Sequence, residues 1–209
     1  MHRGGLLSWC MWMVALMLLP LVTSCTESDN EVEEYPQWKA TNEAYWQQLY
    51  SETQQKINAG DNTWKIIPKY SVVADEDLAR DEYIIVHVIE EGKGAGCPLY
   101  TDTVSVNYSG RLLPSTSYSG GYQFDASYTG AYNPGTARPT SFAVSGVVDG
   151  FATALQKMHI GDRWEVYIPY SLGYGSSNES SSIPAYSTLI FDLALVSYWR
   201  PGAVVPTQK

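Results

Sequence analysis

Tyr174 stands between Gly173 and Gly175 and is followed by a serine-rich run to Ser182. The chain then returns through Ile183-Pro184 into the alternating apolar segment Thr188–Val196. A phenol can lay its ring on an apolar partner while its hydroxyl holds a carbonyl oxygen. Glycines on both sides let the backbone bend sharply around it. No nucleophile-plus-base motif and no metal-ligand spacing accompanies this stretch, so its residues are suited to holding a ligand rather than attacking one. The histidines do not change that. His87 lies in a strand-like pattern and reads as structural, and His159 follows a short helical segment whose negative end an imidazolium would meet favourably. No metal and no cofactor is expected.

Such a site needs a scaffold, and the apolar periodicity describes one. Tyr83–Ile89 is rich in β-branched residues, Thr103–Tyr108 alternates as a half-buried strand does, and Trp164–Ile168 and Thr188–Val196 continue in that style. Val148–Met158 is the one short helical segment among them. Several strands with one short helix make an α+β domain with an antiparallel sheet. Ahead of it, Trp38, Tyr45, Trp46, Leu49, Tyr50 and Ile57 fall mostly at helical spacing between Pro36 and Gly60, predicting an amphipathic helix over 36–59. Its aromatic stripe reads as a docking face on the main domain, with a dimer seam as the alternative.

The 209 residues suit one domain with an appendage, and 44% hydrophobic residues supply a core. A net charge of −9 leaves no basic stripe for phosphates, which argues against a nucleic-acid partner. Arg3 precedes a charge-free apolar run, Leu6–Val22, which ends in Leu21-Val22-Thr23-Ser24-Cys25. This ending resembles the lipobox of bacterial lipoproteins, against an ordinary secretory signal or an uncleaved anchor. The resemblance implies a signal peptide over 1–24, a lipidated Cys25 and an acidic tether over 25–35. The acidic residues after Cys25 also resemble export signals of surface-exposed lipoproteins. Together these predict a lipid-anchored protein of the bacterial cell envelope, at the outer membrane. With Cys10 lost and Cys25 alkylated, Cys97 has no intramolecular partner and reads as a small apolar filler.

Four motifs then appear in order: VSVNYSGRL at 104–112, FDAS at 124–127, GVVDGFATALQKMHIGDRWEVYIPYSLGYG at 146–175 and IPAYSTLIFDL at 183–193. Over roughly residues 83–198 the chain resembles the FKBP-type peptidyl-prolyl cis-trans isomerases. The resemblance implies a twisted antiparallel sheet wrapped around a short helix and an isomerase domain at 83–199, which leaves 36–82 as the N-terminal helix and connecting segment and 200–209 as a tail. It implies an apolar pocket lined by Tyr108, Phe124, Val147, Val148, Phe151, Tyr174, Ile183 and Phe191, with Asp125 at its edge. By the same likeness, the Val148 amide and the Tyr174 hydroxyl bind ligand carbonyls and Phe151 forms the floor. Asp125 orients its neighbours and polarises the edge. The implied partners are proline-containing polypeptides and, as inhibitors, macrolides. Residues 176–182 become a flap beside the site, although the serine run alone is only a flexible surface loop.

The chain departs from the family in places. Phe151 stands where a tryptophan is usual, which enlarges the cavity and removes an indole N–H. Thr140 stands where an aromatic is common, which opens one wall. Insertions fall between Gly110 and Phe124 and over Tyr128–Arg138. The expected function is a prolyl isomerase assisting folding in the envelope. The alternative is a catalytically weak proline-binding chaperone or adaptor on the same fold. A third reading, stacking platforms for sugar, starts from the 16 tyrosines and 7 tryptophans, but most of these fall on expected core or pocket positions.

Overall fold

Residues 33–72, 77–177 and 182–203 are described by the computed structural model. The expected signal segment 1–24, Cys25, the tether as far as residue 32, the middle of the serine loop and residues 204–209 lie outside the described residues. No helix among the described residues is long and apolar enough to cross a membrane.

The β-branched segments expected to pair do so. The strands are β1 (Trp64–Pro68), β2 (Tyr83–Glu90), β3 (Thr103–Arg111), β4 (Gln123–Ala126), β5 (Thr140–Ala143), β6 (Arg163–Ile168) and β7 (Leu189–Trp199). They form one seven-stranded sheet in the order β1-β2-β6-β7-β3-β4, with β5 also on β3. Every pairing is antiparallel. β3 pairs with β7 along its whole length on one side. On its other side it is shared, with β5 at Thr103–Val106 and β4 at Ser109–Arg111. The expected α+β architecture, a sheet curled about one short helix, is the one observed.

β1, β4 and β5 are short strands that the periodicity did not single out. β1 ends on Pro68 opposite Tyr83, which an edge strand tolerates because its outward side needs no ladder donor. β3 is also less half-buried than its alternation suggests: Ser105 and Asn107 are as buried as Val104 and Val106. One face of β3 belongs to the core around α2 (Asp149–Leu155). The loop after β4 folds back over the other face, where Tyr128 Oη lies 3.3 Å from Asp192 Oδ2 and the Tyr132 ring covers the Arg163 guanidinium. Arg163 is held by two bonds to Asp192, Nε to Oδ1 at 2.9 Å and Nη2 to Oδ2 at 2.7 Å. Such a fork-on-carboxylate pair also fixes the relative placement of β6 and β7.

α2 is buried from Gly150 to Leu155. Gly150 is needed for contact: a Cβ there would come 2.3 Å from Ile168 Cγ2 on β6, so any side chain would push the helix off the sheet. α1 spans Trp38–Asn58, within the expected 36–59. It ends in a Schellman motif, with Asp61 N–H donating to Lys56 O, Gly60 N–H donating to Ile57 O and Gly60 at φ +89°. Its buried face is Trp38, Asn42, Trp46, Leu49 and Thr53, and it packs on the sheet domain as the docking reading expected. Trp46 Nε1–H donates to Arg80 O at 2.9 Å, and the Lys56 ammonium lies 3.6 Å from the Trp64 ring centre.

Candidate active site

The core of the site is three aromatic rings whose backbones belong to different elements. Tyr108 comes from β3, Phe151 from the first turn of α2 and Phe191 from β7. Phe151 meets Phe191 edge-to-face at 4.9 Å and 80°, and Tyr108 meets Phe151 at 6.3 Å and 86°. Phe124 of β4 stands edge-on to Phe191 at 5.6 Å and 87°. These are the geometries that ring quadrupoles favour, so the rings lock one another in place. Gly110, pairing with Phe191 across β3–β7 and with Asp125 across β3–β4, leaves room for them. A Cβ there would lie 2.5 Å from Phe191 and 2.6 Å from Phe124.

Above this floor opens a cavity of about 420 Å³, within the range of small-ligand sites. All nine sequence-predicted pocket residues line it: Tyr108, Phe124, Asp125, Val147, Val148, Phe151, Tyr174, Ile183 and Phe191. Cys25 lies outside the described residues. Phe151 is buried at the bottom and Tyr174 is exposed at the rim. Val148 immediately precedes α2 in extended conformation, which brings its backbone to the cavity wall. Beside Tyr174, Gly175 takes φ +73°, whereas Gly173 keeps a negative φ and packs on Leu189. The Gly173 ψ of −124° lies outside both the helical and the extended regions, so the backbone turns on both sides of the ring.

Phe142, Gly146 and Ser182 also line the cavity and were not among the predicted residues. Phe142 corrects one expectation. The wall thought open at Thr140 is filled from two residues further along β5, where Phe142 packs on Tyr108 at 5.5 Å. Alternate residues of a strand share a face, so the period of β5 carried this signal once the strand itself was known.

The polar chemistry is concentrated at one edge. The Tyr108 hydroxyl donates to Asp125 Oδ2 at 2.7 Å. Burial first, then this bond, pushes the Tyr108 phenol well above its ordinary range, so it stays a neutral donor. The Asp125 carboxylate is thereby turned toward Tyr108 as an orienting acceptor. The Tyr108 N–H donates to Ser127 Oγ at 2.9 Å, which pins the β4 end bearing Asp125. His87 stacks on Trp64 at 4.6 Å, away from the cavity-lining residues. Cys97 Sγ lies 3.7 Å from His159 Nε2, and burial raises its thiol. It is a partly buried side chain and not deep core filler.

Comparison with known proteins agrees with this geometry. The family model described as FKBP-type peptidyl-prolyl cis-trans isomerase matches residues 97–196. The chain is 38% identical over 109 residues to an FKBP-type 22 kDa peptidyl-prolyl cis-trans isomerase of Escherichia coli, covering 52% of this chain and 47% of that protein. It is 32% identical over 173 residues to the E. coli isomerase FkpA, covering 81% of this chain and 57% of FkpA. It is 36% identical over 110 residues to a Legionella longbeachae protein named outer membrane protein MIP, covering 53% and 42% respectively. The crystal structure of E. coli FkpA superposes with a TM-score of 0.54 at 30% identity, over 78% of this chain and 61% of that one. Residues 97–196 thus belong to the FKBP-type peptidyl-prolyl cis-trans isomerase family. The chain spans about half the length of the curated relatives it matches.

Proposed function

We propose that the protein is a peptidyl-prolyl cis-trans isomerase that assists protein folding in the bacterial cell envelope. The observation that carries this is the convergence of Tyr108, Phe124, Phe151, Tyr174 and Phe191 on one apolar cavity. Prolyl isomerisation makes and breaks no σ bond. The imide C–N bond has partial double-bond character, and rotating it meets a barrier of about 18–20 kcal/mol in peptides. At the top of the barrier the amide is twisted and its carbonyl less dipolar, so an apolar cavity favours that state over the planar ground states. A prolyl ring seated on Phe151 and Phe191 is held while the Tyr174 hydroxyl and the Val148 N–H retain the flanking carbonyls. Asp125 keeps Tyr108 oriented along the wall and transfers no proton. Each tenfold acceleration takes about 1.4 kcal/mol of preference for the twisted state, a scale that apolar burial and aimed hydrogen bonds reach.

The remaining assignments follow the sequence. Residues 1–24 form a lipoprotein signal, Cys25 carries the lipid, and 25–35 is an acidic tether. Residues 36–82 are the helix and connecting segment, 83–199 the isomerase domain, and 200–209 the tail. LVTSC supports the anchor, and an outer-membrane location is supported by the name of the Legionella relative. Substrates are proline-containing polypeptides, and macrolides would compete for the same cavity. A second reading, a proline-binding chaperone with weak catalysis, is favoured by one observation: the buried floor residue is Phe151, with no indole N–H.

Protease-coupled isomerisation and refolding of a proline-limited protein test both readings, with wild type beside Asp125→Ala and Tyr174→Phe. Tyr174→Phe is expected to weaken substrate binding by about 0.5–1.5 kcal/mol, one hydrogen bond. Peptide binding without acceleration by the wild type rejects the isomerase in favour of the chaperone. No binding of proline peptides rejects both.

A further inference from the structure

Three residues at the start of α1 each hold one of three consecutive residues leading into β7. Trp38 Nε1–H donates to Ser187 Oγ at 2.9 Å. The Lys39 ammonium lies 4.8 Å from the centre of the Tyr186 ring. Asn42 Oδ1 accepts the Thr188 backbone N–H at 2.7 Å, and its Nδ2–H donates to Trp38 O at 2.8 Å. Trp38, Asn42, Ser187 and Thr188 are all buried, so a group left unpaired there would be costly.

The segment held in this way connects to both sides of the cavity mouth. Ser187 Oγ–H donates to Pro184 O at 2.7 Å, beside Ile183 on the cavity wall. Tyr186 N–H donates to Gly175 O at 2.9 Å, beside Tyr174 at the rim. Tyr186 itself has φ +63°, a left-handed conformation that a bulky residue keeps only where its surroundings over-determine it. Its ring is fixed edge-on against Tyr170 at 5.2 Å, and Tyr170 O accepts the Gly175 N–H at 2.8 Å.

We propose that α1 braces the pocket: Trp38, Lys39 and Asn42 are positioning residues that act through Tyr186, Ser187 and Thr188 to set Ile183 and Tyr174 for substrate. The proposal rests on the cavity being the prolyl site. Neither the helix nor its three residues lines that cavity, so its effect is pre-organisation: substrate does not have to order the rim on arrival. Ile183 and Tyr174 meet substrate in the planar and twisted states alike, so the brace acts on KM more than on kcat.

The test uses the full chain in the protease-coupled assay, with KM and kcat read separately. The variants are Trp38→Phe, Ser187→Ala, the double variant and the control Leu49→Ala, a buried residue of the same helix. Each brace variant is expected to raise KM about three- to fivefold with kcat within about twofold, and the double variant no further than Ser187→Ala alone, which already loses the Trp38 bond together with the one to Pro184. Leu49→Ala should lower the urea midpoint and leave KM unchanged. Multiplying KM effects in the double variant, or an equal KM rise in Leu49→Ala, overturns the brace. A wild type that does not accelerate isomerisation refutes the isomerase reading instead. Amide exchange at Ile183–Thr188 then decides the brace: faster exchange in Ser187→Ala than in Leu49→Ala supports it, and equal exchange overturns it.

Discussion

Gly110→Ala probes how the pocket is built, because its consequences run in two directions that can be measured separately. The added Cβ would lie 2.5 Å from Phe191 Cε1 and 2.6–2.7 Å from Phe124 Cζ and Cε2. Non-bonded carbons rest at roughly 3.5–4.0 Å, so both rings must retreat by about 1 Å. Phe191 is buried and edge-on to Phe151, so moving it disturbs the floor. Phe124 is only half-buried, and its share of the retreat displaces a wall of the cavity. Overpacking of this kind costs about 1–3 kcal/mol. Urea unfolding reads the first consequence and KM for a proline peptide reads the second. At least one must change: a loss of about 1 kcal/mol or more in stability, or a KM rise of about threefold or more. A variant with wild-type stability and wild-type KM would refute both the close approach at Gly110 and the role of these rings in holding substrate.

Phe151→Trp restores bulk and an indole N–H at the floor, and kcat/KM is expected to rise about three- to tenfold if the floor limits catalysis; an unchanged or lower value shows that the cavity is already fitted to Phe151. Thr53→Val should stabilise the protein by about 1 kcal/mol in urea unfolding, because the buried Thr53 Oγ1 has no partner among the described residues and the replacement is nearly isosteric. Alkaline titration should lag. Burial and Asp192 push the Tyr128 phenol up to about 12, and a bond to Tyr100 does the same for Tyr70, against the ordinary 10.0. A group whose pKa rises on folding contributes stability that is complete below its unfolded value and lost as pH climbs through the folded one. The urea midpoint should therefore fall as pH rises from 10 toward 12, with absorbance at about 295 nm showing phenols that ionise only then; a midpoint flat across that window refutes it.

What the sequence made legible follows the range over which each signal acts. β2, β6 and β7 announce themselves through local β-branched runs, and α1 through its aromatic spacing and Gly60. The cavity-lining residues were reachable because FDAS, GVVDGF and GYG are short strings whose identity travels with their motif. What stayed hidden depends on partners far along the chain. Asn42 and Thr53 look like solvent-facing residues on the helix and are buried, one because it caps Thr188, 146 residues away. β5 is too short to show a period until β3 offers it an edge, and with it went Phe142. Gly110 reads as a strand weakener, yet its missing side chain is what lets Phe124 and Phe191 close over the floor. These surprises share a cause. A pocket assembled from β3, β4, β7 and α2 needs its tightest contacts where elements distant in sequence meet, and there residue choice is governed by the neighbour rather than by the local pattern. That is also why the rim needs α1: Tyr186 holds a left-handed backbone that its own sequence disfavours, and contacts from the helix, Gly175 and Tyr170 keep it there.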